Sequence, residues 1–308
     1  MAAQAGGESL LRATRSRRGE QVIVLLLKAC GAISILTTAG IVAMLFVEAA
    51  PFFRQIDPRT FFLGTTWQPF GSNPNNFGVL PLINGTMLVT VVAMVVAVPL
   101  GLGAAMYLSD YASQRVRAVL KPTLEVLAGI PTIVLGLFAL TFVTPVLRAV
   151  VGTDVVGIFN AASAGIVMGI MIIPTIASVA EDSMSAVPSG LRESAYGLGS
   201  TKRQVVLKVV FPGALSGIVA AVLLGFGRAI GETMIVVIAA GNLPTITANP
   251  FSQIQTMTAY IVQAVGGETP RGTLSYQSIF AVGALLFLLT FALNVAAQRF
   301  VRRFREVY

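Results

Sequence analysis

The stretch Leu82-Ile-Asn-Gly-Thr-Met-Leu-Val-Thr-Val-Val-Ala-Met-Val-Val-Ala-Val-Pro-Leu-Gly-Leu-Gly-Ala-Ala-Met-Tyr-Leu108 contains no charged side chain. A spanning helix needs about 20 predominantly apolar residues, so this run is long enough to cross a bilayer with its backbone bonded internally. It is the helical part of a charge-free run over residues 60–109. The front of that run, from Thr65 to Asn76, is interrupted by Asn73, Asn75, Asn76, Pro69 and Pro74. Working outward, similar runs occupy residues 29–47, 126–147, 155–180, 209–227, 233–267 and 272–298. The run at 233–267 breaks at Gly241-Asn-Leu-Pro244, so its front part is expected to finish the helix that begins near Val209. Six transmembrane helices remain, and the fold class is an all-α membrane protein. The chain is 55% hydrophobic and 11% charged, and its mean hydropathy of +0.82 excludes an ordinary water-soluble globular domain.

A net charge of +8 with no histidine raises the possibility of nucleic acid as partner, but the cations flank the apolar runs instead of forming a soluble patch. Arg12, Arg15, Arg17, Arg18 and Lys28 lie before or at helix 1, and Arg115, Arg117 and Lys121 follow helix 2. Arg192, Lys202, Arg203 and Lys208 follow helix 4, and Arg299, Arg302, Arg303 and Arg305 follow helix 6. Arg54, Arg59, Arg148, Arg228 and Arg271 fall elsewhere. The excess of cytoplasmic Lys and Arg therefore places both termini in the cytoplasm, in agreement with an even helix count. The single cysteine, Cys30, lies within the first apolar run and excludes a disulfide framework or a CxxC site. That run is too long for a typical signal-peptide core, and helix 1 is expected to be a retained anchor.

The organisation expected from this pattern is a disordered cytoplasmic tail at 1–20, helix 1 at 21–50, an external loop at 51–81, and a core at 82–308 that includes a cytoplasmic loop at 181–208. The external loop carries Phe52, Phe53, Phe61, Phe62 and Trp67, read as a membrane-interface set with contact to an external partner as the alternative. In helix 2, Pro99, Gly101 and Gly103 point to a kink and close helix contact.

Within the 181–208 loop, Pro188 suits a helix start, and Leu191, Ala195 and Leu198 share one helical face. The short helix should stop at Gly197 or Gly199, and Thr201 with Gln204 forms a Thr-x-x-Gln capping box for the next one. The loop reads Glu193-Ser-Ala-Tyr-Gly-Leu-Gly199, with Pro212 further on. This resembles the EAA loop of the permease subunits of bacterial ABC importers. Glu193, Ala195, Gly199 and Pro212 match that pattern, and Ser194, Val209 and Phe211 depart from it mildly. The resemblance implies that the helix carrying Leu191, Glu193 and Ala195 couples to an ATPase subunit. Arg192 and Glu193 would orient it through charged contacts. No lysine follows a glycine, so a GxxxxGK[ST] phosphate loop is absent and ATP hydrolysis belongs to another chain.

Helix 5 continues Gly225-Phe-Gly-Arg228-Ala-Ile-Gly-Glu232-Thr233, which places Arg228 and Glu232 four residues apart on one expected helix face. Each ion would cost about 2.5–3.5 kcal/mol at a helix centre, so neither should face lipid. They are read either as a structural salt bridge or, with Thr233, as part of a substrate pathway. A guanidinium matches phosphate oxygens with a planar fork of donors, and a carboxylate can accept from a protonated phosphate oxygen as sulfate cannot offer. Glu125 and Pro131 open helix 3 and are possible gating residues; the blander reading pairs Glu125 with Arg115 or Lys121. Asp110 has the same ambiguity.

Beyond the loop, the stretch from Glu125 to Phe138 and the motif Arg228-Ala-Ile-Gly-Glu-Thr233 look like the phosphate-importer permeases. Trp67-x-Pro69, Phe77-Gly78 and Asn84-Gly85-Thr86 are similar to their PstC type. The resemblance implies a MetI-like, type I importer bundle in the bacterial inner membrane, paired with a PstA-type paralogue, a cytoplasmic ATPase dimer carrying ATP and magnesium, and an external phosphate-binding protein. It implies no cofactor or metal in this chain, no covalent chemistry, and no nucleic acid. Molybdate, tungstate or sulfate as substrate, and an ATP-independent secondary transporter, are the alternatives.

Overall fold

The computed structural model describes residues 17–70, 76–267 and 269–303, and it is helical nearly throughout. Helix α1 (Arg17–Gln55) is followed by the short α2 (Pro58–Leu63). Then comes α3 (Leu80–Met106), which runs into a π-helical turn at Tyr107–Tyr111. Helix α4 (Gln114–Ala128) precedes α5 (Thr132–Phe138), which continues through a second π-helical turn, Ala139–Val143, into α6 (Thr144–Val151). Helix α7 (Ala161–Ser185) leads to α8 (Ser189–Gly197), α9 (Lys202–Val205), a third π-helical turn at Val206–Val210, α10 (Phe211–Gly213) and α11 (Leu215–Gly231). The chain closes with α12 (Met234–Ala239), α13 (Met257–Gly266) and α14 (Leu274–Arg303).

Five segments are long and apolar enough to span a bilayer: Glu20–Gln55, Leu80–Tyr111, Thr132–Val151, Ala161–Ser185 and Leu274–Arg299. The pair Lys202–Gly213 and Leu215–Gly231, bent by 72°, makes a sixth crossing when taken as one broken span. The helix expected to run on from Val209 is therefore broken twice. The first break falls at Ala214, two residues after Pro212, which has no amide to donate, and the second falls at Glu232, whose backbone is extended.

Other boundaries move for identifiable reasons. Helix α1 continues through Pro51 to Gln55, beyond the expected end at 50, while residues 1–16 of the expected tail lie outside the described residues. Glu125 belongs to α4, an amphipathic helix with no buried residue, and the crossing starts only after Pro131, which caps α5. The apolar run that starts at 155 becomes helical only at Ala161. There the Asn160 side chain accepts from the Ser163 amide at 2.7 Å and ends the preceding loop. Helix α7 also continues past Glu181, because that charge is neutralised inside the protein, as described below.

The core forms where small residues let helix backbones meet. A Cβ on Gly165 of α7 would lie 2.6 Å from Val92 of α3, and one on Gly169 would lie 2.7 Å from the Ala93 carbonyl. Gly101 of α3 and Gly225 of α11 both pack against Ile176 of α7, so α7 is wrapped by its neighbours. Gly103, by contrast, faces open space.

A second core occupies the end opposite α8. Phe52, Phe61, Trp67 and Phe77 are buried there against Met257, Tyr260 and Val282. Trp67 stands edge-on to Tyr260 with ring centroids 4.8 Å apart. The aromatic set read as an interface or partner surface is thus mostly interior, although Phe62 remains exposed. The backbone bridge between Trp67 and Phe77, and the packing of Gly64 on Gly78, fold this loop back on itself.

Candidate functional site: a docking helix and a membrane-depth cation

Helix α8 has the expected helix, glycine break, helix arrangement. Pro188 precedes it, and Gly199 takes φ +79°, a conformation open to glycine. The amides of Gly199 and Ser200 donate to the Tyr196 and Ala195 carbonyls at 2.9 and 3.1 Å and close the helix end. Thr201 and Gln204 form the reciprocal capping box: the Thr201 amide donates to Gln204 Oε1 at 2.8 Å, and the Gln204 amide donates to Thr201 Oγ1 at 3.4 Å. Ala195 is half-buried against the bundle, whereas Leu191, Glu193, Gly199 and Pro212 are exposed. Leu198 is 88% exposed, an apolar tip with nothing on it.

Arg192 differs from expectation. Its guanidinium turns inward, with Nη1 on Asp110 Oδ1, and Nη2 donates to the Met184 carbonyl at 2.6 Å. It therefore holds α8 to the bundle, while Glu193 alone faces outward. Asp110, ambiguous in sequence, is nearly buried and is the partner in this pair.

A second ionic cluster lies beside it. Glu181 of α7 is fully buried; it accepts from Arg117, and at 2.8 Å from Lys121, both of α4. Ser185 also donates to Glu181 at 3.0 Å, and Lys121 reaches Asp182 at 2.9 Å. Lys121 is thus engaged by α7, and Glu125, expected to pair with it or with Arg115, forms no ion pair among the described residues. Glu125 follows Lys121 by one turn on the same face of α4, but Lys121 is already held by both carboxylates of α7 and Glu125 itself is exposed.

At membrane depth, Arg228 and Glu232 do not share a helix face and do not pair. Helix α11 ends at Gly231, and Glu232 turns away to cap α12, where its Oε1 accepts from the Met234 and Ile235 amides at 3.1 and 3.3 Å. The Thr258 hydroxyl fixes this turn by donating to the Glu232 carbonyl at 2.8 Å. Thr233 opens α12, and its hydroxyl donates back to the Gly231 carbonyl at 3.2 Å. Arg228 is exposed, held by one hydrogen bond from Nη1 to Thr175 Oγ1 at 3.0 Å. Gly227 and Gly231 flank it with no atom within 4 Å of where a Cβ would stand, so the helix surface on either side of Arg228 is open. Sequence reasoning identified Arg228 but missed Thr175, Glu181 and the Arg192 partner. A carboxylate just past the end of the apolar run 155–180 was the only trace of Glu181.

At the opposite end, a cavity of about 520 Å³ is lined by uncharged groups, among them Thr65, Gln68, Asn242, Gln255 and Gln263.

Comparison with known proteins agrees with this architecture. Residues 97–306 match the family described as "Binding-protein-dependent transport system inner membrane component". The chain is 32% identical over 304 residues to the Bacillus subtilis "Probable ABC transporter permease protein YqgH", covering 97% of this chain and 96% of that protein. It is 34% identical over 267 residues to the Xylella fastidiosa "Phosphate transport system permease protein PstC", covering 81% of this chain and 80% of that protein. A crystal structure of a bacterial ABC transporter involved in import of the acidic polysaccharide alginate superposes with a TM-score of 0.64 at 16% identity, covering 94% of this chain and 97% of that one. A MetI-like helical bundle with five to six candidate membrane crossings, together with these relatives, leads to one assignment: the chain belongs to the binding-protein-dependent inner membrane components, the permease subunits of ABC importers, and has PstC permeases among its relatives.

Proposed function

We propose that this chain is the permease subunit of an ATP-driven importer and forms one wall of the translocation path for inorganic phosphate. The observation that carries this reading is Arg228: a permanent cation on a membrane-crossing helix, exposed, and not neutralised by Glu232. A charge at that depth is costly against lipid, so its open surface fits a water-filled path shared with a second permease subunit. The open Gly227 and Gly231 leave room for an anion to reach the guanidinium fork. Glu232 uses Oε1 for backbone amides, which leaves Oε2 to accept from a protonated phosphate oxygen. Thr233 lies at the same helix break.

In this reading both termini are cytoplasmic and the chain sits in the bacterial inner membrane. A PstA-type paralogue completes the path, an external phosphate-binding protein delivers substrate, and an ATPase dimer carrying ATP and magnesium docks at Leu191, Glu193, Ala195 and Gly199. Pro212, in α10 two residues before the bend at Ala214, lets motion at the docking loop tilt the crossing beyond it. Pro131 marks a similar break between α4 and α5, which supports a gating role there, with Glu125 on the exposed face beside it.

Competition resolves the substrate: in vesicles holding the full complex, uptake of labelled phosphate should be displaced by unlabelled phosphate and unaffected by equal sulfate or molybdate. Displacement by molybdate in preference to phosphate overturns the assignment.

A further inference from the structure

The function proposed above needs motion at α8 to reach the membrane-crossing helices, and the geometry points to Asp110 and Tyr111 as the residues that receive it. Both lie in the π-helical turn Tyr107–Tyr111 at the end of α3. Asp110 binds Arg192 of α8, and the Tyr111 ring lies under Lys202 of α9 with the ammonium 4.9 Å from its centroid. One helical turn is therefore tied to both limbs of the docking loop, on either side of the Gly199 hinge. Arg192 is also tied to the Met184 carbonyl at the end of α7, so the same guanidinium bridges α3, α7 and α8.

Three features mark Asp110–Arg192 as a transmission link and not an incidental surface pair. The side chains are 6% and 20% exposed, so water and salt screen the pair poorly. Asp110 Oδ2 and the neighbouring Ser109 Oγ are buried without a hydrogen-bond partner, which leaves Arg192 as the only described partner of this carboxylate. Finally, α3 is the helix that meets α7 at the glycine crossings, and Arg228 is bonded to Thr175 of α7. A displacement of α8 thus reaches the membrane-depth cation through two rigid helices without passing through a loop. A π turn, with its extra residue per turn, is a natural place for a helix end to adjust under load. Asp110 is a positioning residue: it touches no substrate.

The test uses the complete importer complex with Cys30→Ser and spin labels at Ser189→Cys, the exposed first residue of α8, and Gln114→Cys just beyond the α3 turn. With native Asp110 the label distance should be the same in nucleotide-free and ATP-trapped complexes, because the two segments move together. Asp110→Asn should let the distance change on ATP trapping and lower phosphate transported per ATP hydrolysed by about tenfold, within the usual range of coupling factors. The exchange Asp110→Arg with Arg192→Asp should restore both readouts, which a loss of folding would not allow. A label distance in Asp110→Asn that stays as constant as in the native complex, or an exchanged pair no better than the single variant, overturns the inference. A complex that moves no phosphate at all removes the functional reading, and the distance measurement still decides this one.

Discussion

Glu181 and Asp182 are adjacent carboxylates on α7, and each binds Lys121 at nearly the same distance, 2.8 and 2.9 Å. Their surroundings differ: the Glu181 side chain is 0% exposed and that of Asp182 is 64% exposed. Removing one partner of a buried pair costs about 3–5 kcal/mol, because the remaining charge loses its compensation. Here the cations left behind, Arg117 and Lys121, are 38% and 31% exposed and regain some water. Glu181→Ala should therefore cost about 3 kcal/mol, the low end of that range. Asp182→Ala removes a solvated pair and should cost roughly 0–1 kcal/mol. Glu181→Gln keeps the shape and an acceptor but not the charge, and should fall between them. The assay is thermal unfolding of the purified complex in detergent, followed by the accessibility of a buried reporter cysteine, at low and high salt. Salt should erase what remains of the Asp182 effect and leave the Glu181 effect largely intact. Equal melting of Glu181→Ala and Asp182→Ala would refute the claim that burial, and not proximity to Lys121, decides the strength of this clamp.

Gly169→Ala should destabilise by about 1–3 kcal/mol, since its Cβ meets the Ala93 backbone carbonyl of α3, whereas Gly103→Ala, with open space around it, should be neutral; denaturant unfolding of the two variants compares them directly. Thr201→Ala should cost about 1 kcal/mol by removing the capping box, and hydrogen exchange of the Gln204 and Val205 amides should rise in that variant. Gly199→Ala should strain the loop at φ +79° by about 1–2 kcal/mol and weaken ATPase docking, read as a loss of co-purifying ATPase.

Much of the bundle was legible because lipid imposes a long, charge-free signature on each crossing. The docking loop was legible for a different reason: Pro188, Gly199, Thr201 and Gln204 act locally, so their chemistry can be read from neighbours in sequence. What escaped was whatever depends on distant pairing. Asp110 and Arg192 lie 82 positions apart, and Arg117 and Glu181 lie 64 apart, so only the approach of α8 to the end of α3, and of α4 to α7, brings them together. Apolarity also hid a backbone break. Nothing in Gly231-Glu-Thr-Met announces that Glu232 ends one helix and caps the next, which separated two charges whose spacing suited a single face. The aromatic residues of the 51–81 loop were misplaced because burial of that loop depends on α13 and α14, far along the chain.

The most direct test of the central claim is ATP-dependent uptake of labelled phosphate by vesicles containing the full complex, with native Arg228, Arg228→Lys and Arg228→Ala compared at equal amounts of docked ATPase. The account predicts that Arg228→Ala abolishes uptake while ATPase docking is kept, and that Arg228→Lys, a point charge without the planar fork, retains a reduced rate. Native uptake in Arg228→Ala would contradict it, because the exposed cation at membrane depth would then have no part in moving the anion.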